Sequence, residues 1–329
     1  MAKPLAERRL GTVLETVVVE LLDEARLAWP RIQDPDDSEG LHDFRVALRR
    51  LRSCLKDYFK DYLKGYRGFA GVSLDKGLMR ELRDLARSTN AARDGEVMLA
   101  WLQDQHELLN GSERAAVAWW CERLVPQVEE EYRRIEFRVA AFPLLDARLR
   151  EAMKGIRLKA RKTPRFGPAS ADVLERLVTQ WCAELDAIKG REDEDALHRP
   201  RITGKRLRYL LRAWRGEGEV LVVAESALKS FQEAFGQLHD DLVRCEALRA
   251  SVQQHVLEET DARLAAAIRD PGARATAPRH LRGFMGLVAH HEQRTEAHLA
   301  EVLRLSRGKP RRELEKQLAE VAATMRGSH

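Results

Sequence analysis

Apolar residues recur at three- and four-residue steps through nearly all of this 329-residue chain, and that period leaves little but helices to build with. The stripes run from about Leu5 to Ala28, Leu41 to Tyr62, Leu78 to Leu108, Ala115 to Phe137 and Leu144 to Leu158. A second series runs from about Val173 to Ile188, Leu197 to Trp214, Val220 to Leu257, Leu281 to Leu305 and Leu314 to Met325. No segment alternates apolar and polar residues as a half-buried strand does. The expected fold class is therefore all-α. Between the series, Lys159 to Ser170 carries Thr163-Pro164 and Gly167-Pro168. These steps break helices, which makes the segment the expected linker between a bundle at 1–160 and another at 161–329. A second expected loop, Arg269 to Pro278, contains Pro271-Gly272.

The two series also match residue by residue. A shift of 156 places His42 on His198, Arg45 on Arg201, Arg49 on Lys205, Arg50 on Arg206, Arg52 on Arg208 and Lys56 on Arg212. The same shift places Leu41 on Leu197, Leu51 on Leu207 and Leu55 on Leu211. Further on, a shift of 146 sets Arg83, Arg93, Asp94 and Val97 against Lys229, His239, Asp240 and Val243. Such self-similarity marks an internal duplication and predicts two helical bundles related by a pseudo-two-fold repeat.

Charge is concentrated within the repeat. The net charge is +5, but His42 to Lys56 carries +4 and His198 to Arg212 carries +6, so the remaining residues carry −5. His42, Arg45, Arg49, Arg52 and Lys56 stand at offsets 0, 3, 7, 10 and 14, as do His198, Arg201, Lys205, Arg208 and Arg212. On a helix these offsets form one stripe of roughly 21 Å, long enough for an extended polyanion. One residue earlier runs an apolar stripe of Leu41, Phe44, Leu48, Leu51, Leu55 and Tyr58, so the basic row borders the core. Like charges three and four residues apart repel by a few tenths of a kcal/mol. A single basic row reads as a solvated or ion-paired face, whereas its repetition suggests a use that offsets the repulsion. Arginine, 44 of the 57 basic residues, suits bidentate contact with phosphate oxygens.

Other classes fit less well. No apolar run approaches the roughly 20 residues of a membrane span, and Glu7, Arg8 and Arg9 are not followed by a signal-peptide core, so the expected location is cytoplasmic. The cysteines at 54, 121, 182 and 245 lie far apart in helical stripes and read as buried reduced thiols, with no zinc spacing. His42 and His198 lack a second ligand or an orienting carboxylate at a telling spacing, which suggests hydrogen bonding to an anion or to backbone. The remaining histidines, including His290-His291, read as surface residues. No catalytic residue, metal or cofactor is expected.

The segments His42-Asp-Phe-Arg45-Val-Ala-Leu-Arg49-Arg50-Leu-Arg52 and His198-Arg-Pro-Arg201-Ile-Thr-Gly-Lys205-Arg206-Leu-Arg208-Tyr209 resemble the paired signatures of the CHAD family, the conserved histidine α-helical domain. Leu228 to Asp240 is similar to the family's following segment. The resemblance spans about Leu5 to Leu305. It implies two bundles with approximate two-fold symmetry, a central groove lined by basic residues of both, and binding of inorganic polyphosphate without catalysis, often at polyphosphate granules. The residues implied are His42, Arg45, Arg49, Arg50, Arg52 and Lys56 on one wall and His198, Arg201, Lys205, Arg206, Arg208 and Arg212 on the other. Arg83 and Lys229 follow from the next helices.

Three departures qualify it. Pro200, lacking an amide hydrogen, predicts that the second signature helix begins close to His198. Asp94 and Asp240 would repel a polyanion and read as partners of arginines. Some family members carry a triphosphate tunnel β-barrel with a Glu-x-Glu-x-Lys motif, which this sequence lacks. The alternative reading is a nucleic-acid or nucleotide binder. It is disfavoured because Phe44, Tyr58, Tyr209 and Trp214 mostly follow the apolar row, leaving few rings for base stacking. A His/Asp metallophosphatase lacks clustered ligands.

Overall fold

The expected stripes become helices in the computed structural model, which describes residues 3–34, 37, 39–63, 74–105, 109–270 and 279–327. Among these residues there is no β-strand, and eleven α-helices follow one another: α1 (Leu10–Ala28), α2 (Gly40–Leu55), α3 (Lys76–Ser88), α4 (Asn90–Asp104), α5 (Gly111–Val139), α6 (Phe142–Leu158), α7 (Phe166–Asp186), α8 (Glu194–Arg212), α9 (Glu219–Arg269), α10 (Arg279–Arg307) and α11 (Lys309–Arg326). The chain is all-α. The expected loop at Pro271-Gly272 and the helix end at Leu108 lie outside the described residues.

Contacts gather the chain into two units. One comprises Met1–Asn90, Arg133–Phe235 and Leu303–His329, the other Ala91–Tyr132 and Gly236–Val302. Each unit draws on both series, so packing groups the residues differently from a division at residue 160.

In the first unit α1 packs on α2 and α6, and α7 packs on α8 and α11, while α1 meets α7 and α2 meets α8. The apolar stripe of α2 is buried as its spacing requires: Leu41, Phe44, Leu48, Leu51 and Leu55 are all sealed from solvent. Phe44 meets Phe142 edge-on, and Phe166 stacks on Trp214 with ring centroids 5.1 Å apart. Several contacts are reciprocal about the repeat interval of 156. The Leu10 amide donates to the Pro164 carbonyl at 2.9 Å and the Phe166 amide to the Arg8 carbonyl at 2.8 Å, forming an antiparallel bridge centred on Arg9 and Arg165.

Three local expectations are corrected. The linker is packed: Ala160, Thr163 and Phe166 are buried, and Thr163 Oγ1 accepts the Gly11 amide at 3.0 Å. A side chain at Gly167 would place its Cβ 2.1 Å from the Met325 carbonyl oxygen, so glycine there permits the approach of α11. Next, α8 begins at Glu194 rather than beside His198, capped by the Asp193 carboxylate accepting the Ala196 amide at 2.9 Å. Pro200 therefore lies inside the helix. It withholds one amide donor from the helix, and its side chain is buried. Finally, the stripe from Leu78 breaks at Thr89, whose hydroxyl donates back to the Ala86 carbonyl at 2.9 Å.

The second unit has its own core, with Trp101, Leu102, Val117, Trp120, Leu248 and Phe284 buried together. Here another expectation fails. His290 is exposed, but His291 is only 3% exposed, edge-on to Trp101 at 4.6 Å. Burial, opposed by Asp241 and reinforced by Arg294, Arg244 and His290, pushes the His291 pKa down from 6.5 to about 4. Folded His291 thus stays neutral over a range in which the unfolded side chain gains a proton. Its contribution is present above pH 6.5 and is lost as pH falls towards 4, by up to about 3 kcal/mol. Urea unfolding of the wild type should show this loss between pH 7 and 4, and His291→Gln should flatten it. An equal slope in both proteins would contradict the assignment.

The cysteines are thiols, with Cys245 buried and the other three half-buried. Burial, followed by the Asp57 charge, raises Cys54 to about 12, and burial with the Glu315 hydrogen bond raises Cys182 to about 11. Both remain protonated at neutral pH, as structural thiols do.

Candidate functional site

The two signature helices, α2 and α8, lie in the same unit and touch. Their basic residues have three different fates.

The first fate is clustering. Arg52 is half-buried, and its pKa is lowered by burial first and then by the cations of Arg87, Arg83 and Arg49, while Asp84 opposes the shift. Four guanidinium groups from α2 and α3 therefore share one neighbourhood. Arg83 is held at 3.2 Å by Asp84, its own neighbour in sequence. Arg87 is absent from the sequence-based set. It stands one helical turn beyond Arg83 on α3, and that i, i+4 spacing was the signal available.

The second fate is pairing across the helices. Arg50 donates to Glu24 of α1 at 2.7 Å, and Arg212 of α8 reaches the other oxygen of the same carboxylate at 3.5 Å. The Arg50 pKa is lowered by burial and then by the Arg212 cation. Lys56 is lowered by burial and then by Arg206. These two cation pairs are repeat equivalents, since 50 and 206, and 56 and 212, are each 156 apart. Arg45 donates to Thr89 Oγ1 at 3.1 Å and Asn90 Oδ1 at 2.8 Å, placing its charge at the C-terminal end of α3, where the helix dipole favours a cation.

The third fate is burial, and it corrects the expectation for Arg206. This residue is 7% exposed and lies on the arc of α8 shared with Thr203, Leu207 and Leu210. Its Nε donates to Asp57 at 3.0 Å, Nη2 bonds Asp57 again and Asp61 at 3.3 Å, and Nη1 points to Gln180 at 3.5 Å. Arg176 also approaches Asp61, at 3.7 Å. The carboxylates arrive because the chain after Leu55 winds as a π-helix over Lys56–Tyr62. The wider turn takes Asp57, Tyr58 and Phe59, three successive residues, into the interior. Arg206 is thus a structural cation and not part of an open wall.

The remaining residues are placed as follows. Arg201, Lys205 and Arg208 are half-buried on α8, and the Gln232 amide donates to the Arg201 carbonyl at 3.4 Å. Arg208 and Arg212 both contribute, after Arg215, to lowering the pKa of Glu225. Lys229 is exposed and pairs with Glu233 at 3.5 Å. Asp240 lies 3.4 Å from the His239 ring nitrogen Nδ1. His198 is half-buried in the first turns of α8. His42 does have ligand-type neighbours, contrary to the sequence reading: its ring and the carboxylates of Glu39 and Asp43 have ligand atoms within 4.8 Å of one another. Arg31, bonded to both Asp37 and Asp43 at 2.7 Å, supplies the cation that these acids require.

A family model for the CHAD domain matches residues 16–249, which include both signature helices and the Arg49, Arg52, Arg83 and Arg87 cluster. The chain is 28% identical over 253 residues to the protein Rv2226 of Mycobacterium tuberculosis strain H37Rv and to MT2285 of strain CDC 1551. The match covers 72% of this chain and 44% of each relative, so the chain spans less than half the length of the curated relatives it matches. The crystal structure of the CHAD domain from the plant Ricinus communis is similar in fold, with a TM-score of 0.64 at 18% identity, covering 96% of this chain and 94% of that one. With the family model, the duplicated signature and the all-helical fold in agreement, the chain belongs to the CHAD family.

Proposed function

We propose that this protein binds inorganic polyphosphate, without cleaving it, on the basic surface formed by α2, α3 and α8. The observation that carries the reading is the gathering of Arg49, Arg83 and Arg87 near the half-buried Arg52, with Arg83 and Arg87 one turn apart on α3. Mutual repulsion raises the free energy of the empty cluster, and an anion with many closely spaced charges relieves it. Resemblance to a family associated with polyphosphate supports the same ligand. Arg50, Arg212, Lys205 and Arg208 extend the surface along the seam of the signature helices, and a linear polymer can touch several of these cations at once. Arginines hold their protons at neutral pH, so they supply charge and hydrogen bonds rather than proton transfer. The proposed location is the cytoplasm or its polyphosphate granules; no helix among the described residues is long and apolar enough to cross a membrane.

The nucleic-acid alternative shares the phosphate chemistry but needs exposed rings. Phe44, Tyr58 and Trp214 are buried, which removes three of the four aromatics in and just after the signature helices from any stacking role. Competition between long-chain polyphosphate and single-stranded DNA, followed by calorimetry across a salt series, tests the reading. Polyphosphate should win, and its affinity should fall steeply between about 50 and 200 mM salt as neutralised phosphates release their counterions. Preference for DNA, or tight binding indifferent to salt, would overturn it.

A further inference from the structure

The sequence repeat between the signature helices is broken at their seam, and the break separates one cation that can exchange partners from one that cannot. Arg50 and Arg206 are repeat equivalents. Every side-chain nitrogen of Arg206 has an acceptor, two of them in buried or half-buried carboxylates. Arg50 is bound differently: Nη1 reaches Glu24, while its buried Nε has no hydrogen-bond partner. Buried donors are rarely left in that state. Glu24 itself is 42% exposed and divides its two oxygens between Arg50 and Arg212. Its repeat equivalent is Gln180, an uncharged residue beside the sealed Arg206.

We propose that Glu24 is a built-in competitor for the anion site, its carboxylate standing where one phosphate group of the polymer binds between Arg50 and Arg212. This rests on the polyphosphate reading. An internal phosphate of the polymer has two non-bridging oxygens, as a carboxylate does, but the adjacent phosphates carry more, so consecutive groups can bond Arg50 Nη1 and Arg212 Nη2 and also supply the acceptor that Nε lacks. Glu24 then swings into solvent, which its exposure permits. The carboxylate lowers affinity for short or weakly charged anions and holds α2 and α8 together when no polymer is bound. Selectivity for long polymers follows, since only a ligand gripped elsewhere along the row displaces it.

The test compares long-chain polyphosphate binding by the wild type, Glu24→Gln and Glu15→Gln, at several salt concentrations. Glu15 is on the same helix but pairs with Arg157, so its variant removes equal charge away from the seam. Glu24→Gln should tighten binding about two- to fivefold, the range set by one partly exposed ion pair. It should also steepen the salt dependence, because an internal counterion has been replaced by solution anions, and inorganic tripolyphosphate should gain proportionally more than the long polymer. Glu15→Gln should leave affinity unchanged. Unchanged or weaker binding by a folded Glu24→Gln variant would overturn the proposal, as would an equal gain from Glu15→Gln. Should Glu24→Gln fail to fold, Glu24→Asp, which retracts the charge by one methylene, should tighten binding, and no gain there would overturn it equally. A wild type with no affinity for polyphosphate would overturn the functional reading itself, and this inference with it.

Discussion

Replacing Arg49, Arg52, Lys205 and Arg208 together by alanine is expected to weaken polyphosphate binding by about a hundredfold or more while the protein stays folded. Each side chain contributes a partly exposed cation. At up to about 1 kcal/mol for each contact, four of them reach two to three orders of magnitude in affinity. The fold should survive because these side chains border the apolar stripes without belonging to them. Arg52 feels the like charges of Arg87, Arg83 and Arg49, which with burial lower its pKa, so removing it relieves repulsion, and the melting temperature should hold or rise slightly. The two pairs are informative separately. If one polymer lies along both helices, loss of Arg49 and Arg52 alters what Lys205 and Arg208 are worth, and the combined deficit departs from the sum of the two. Strict additivity would indicate separate sites. Retention of full affinity by the folded quadruple variant would remove the proposed site.

Asp57→Ala is expected to lower stability by about 3–5 kcal/mol. It strands the buried Arg206 guanidinium, to which Asp61 offers only a longer contact of 3.3 Å. The desolvation of that charge then stands uncompensated. Urea denaturation measures the effect, and a midpoint within the error of the wild type would show that Arg206 is not the sealed cation described above. Pairing Asp57→Leu with Arg206→Met should recover much of the loss, since apolar replacements of both partners remove the stranded charge. The double variant should bind polyphosphate as the wild type does, because Arg206 faces the interior. A large drop in its affinity would return Arg206 to the binding surface.

These two experiments fall on either side of what the sequence discloses. The three- and four-residue apolar period determined an all-helical chain, because only the helix brings Leu41, Phe44, Leu48, Leu51 and Leu55 to one face, and those residues are buried together. The interval of 156 and the offsets of the basic rows are likewise properties of the sequence alone, and they place a charged stripe beside a core stripe wherever the helix lies. Which cations stay available is a different kind of information. Glu24 meets Arg50 and Arg212 from 26 and 188 residues away, and Asp57 meets Arg206 across 149. No local spacing records such pairings, since they depend on how α1, α2 and α8 stack. The π-wound turn that takes Asp57 inward, the break at Thr89 that gives Arg45 its partners, and the approach of Arg87 to Arg52 arise in the same way. Helical period is set by neighbours along the chain and can be read from it. Neutralisation of a charge depends on distance through space, and only the tertiary structure decides it.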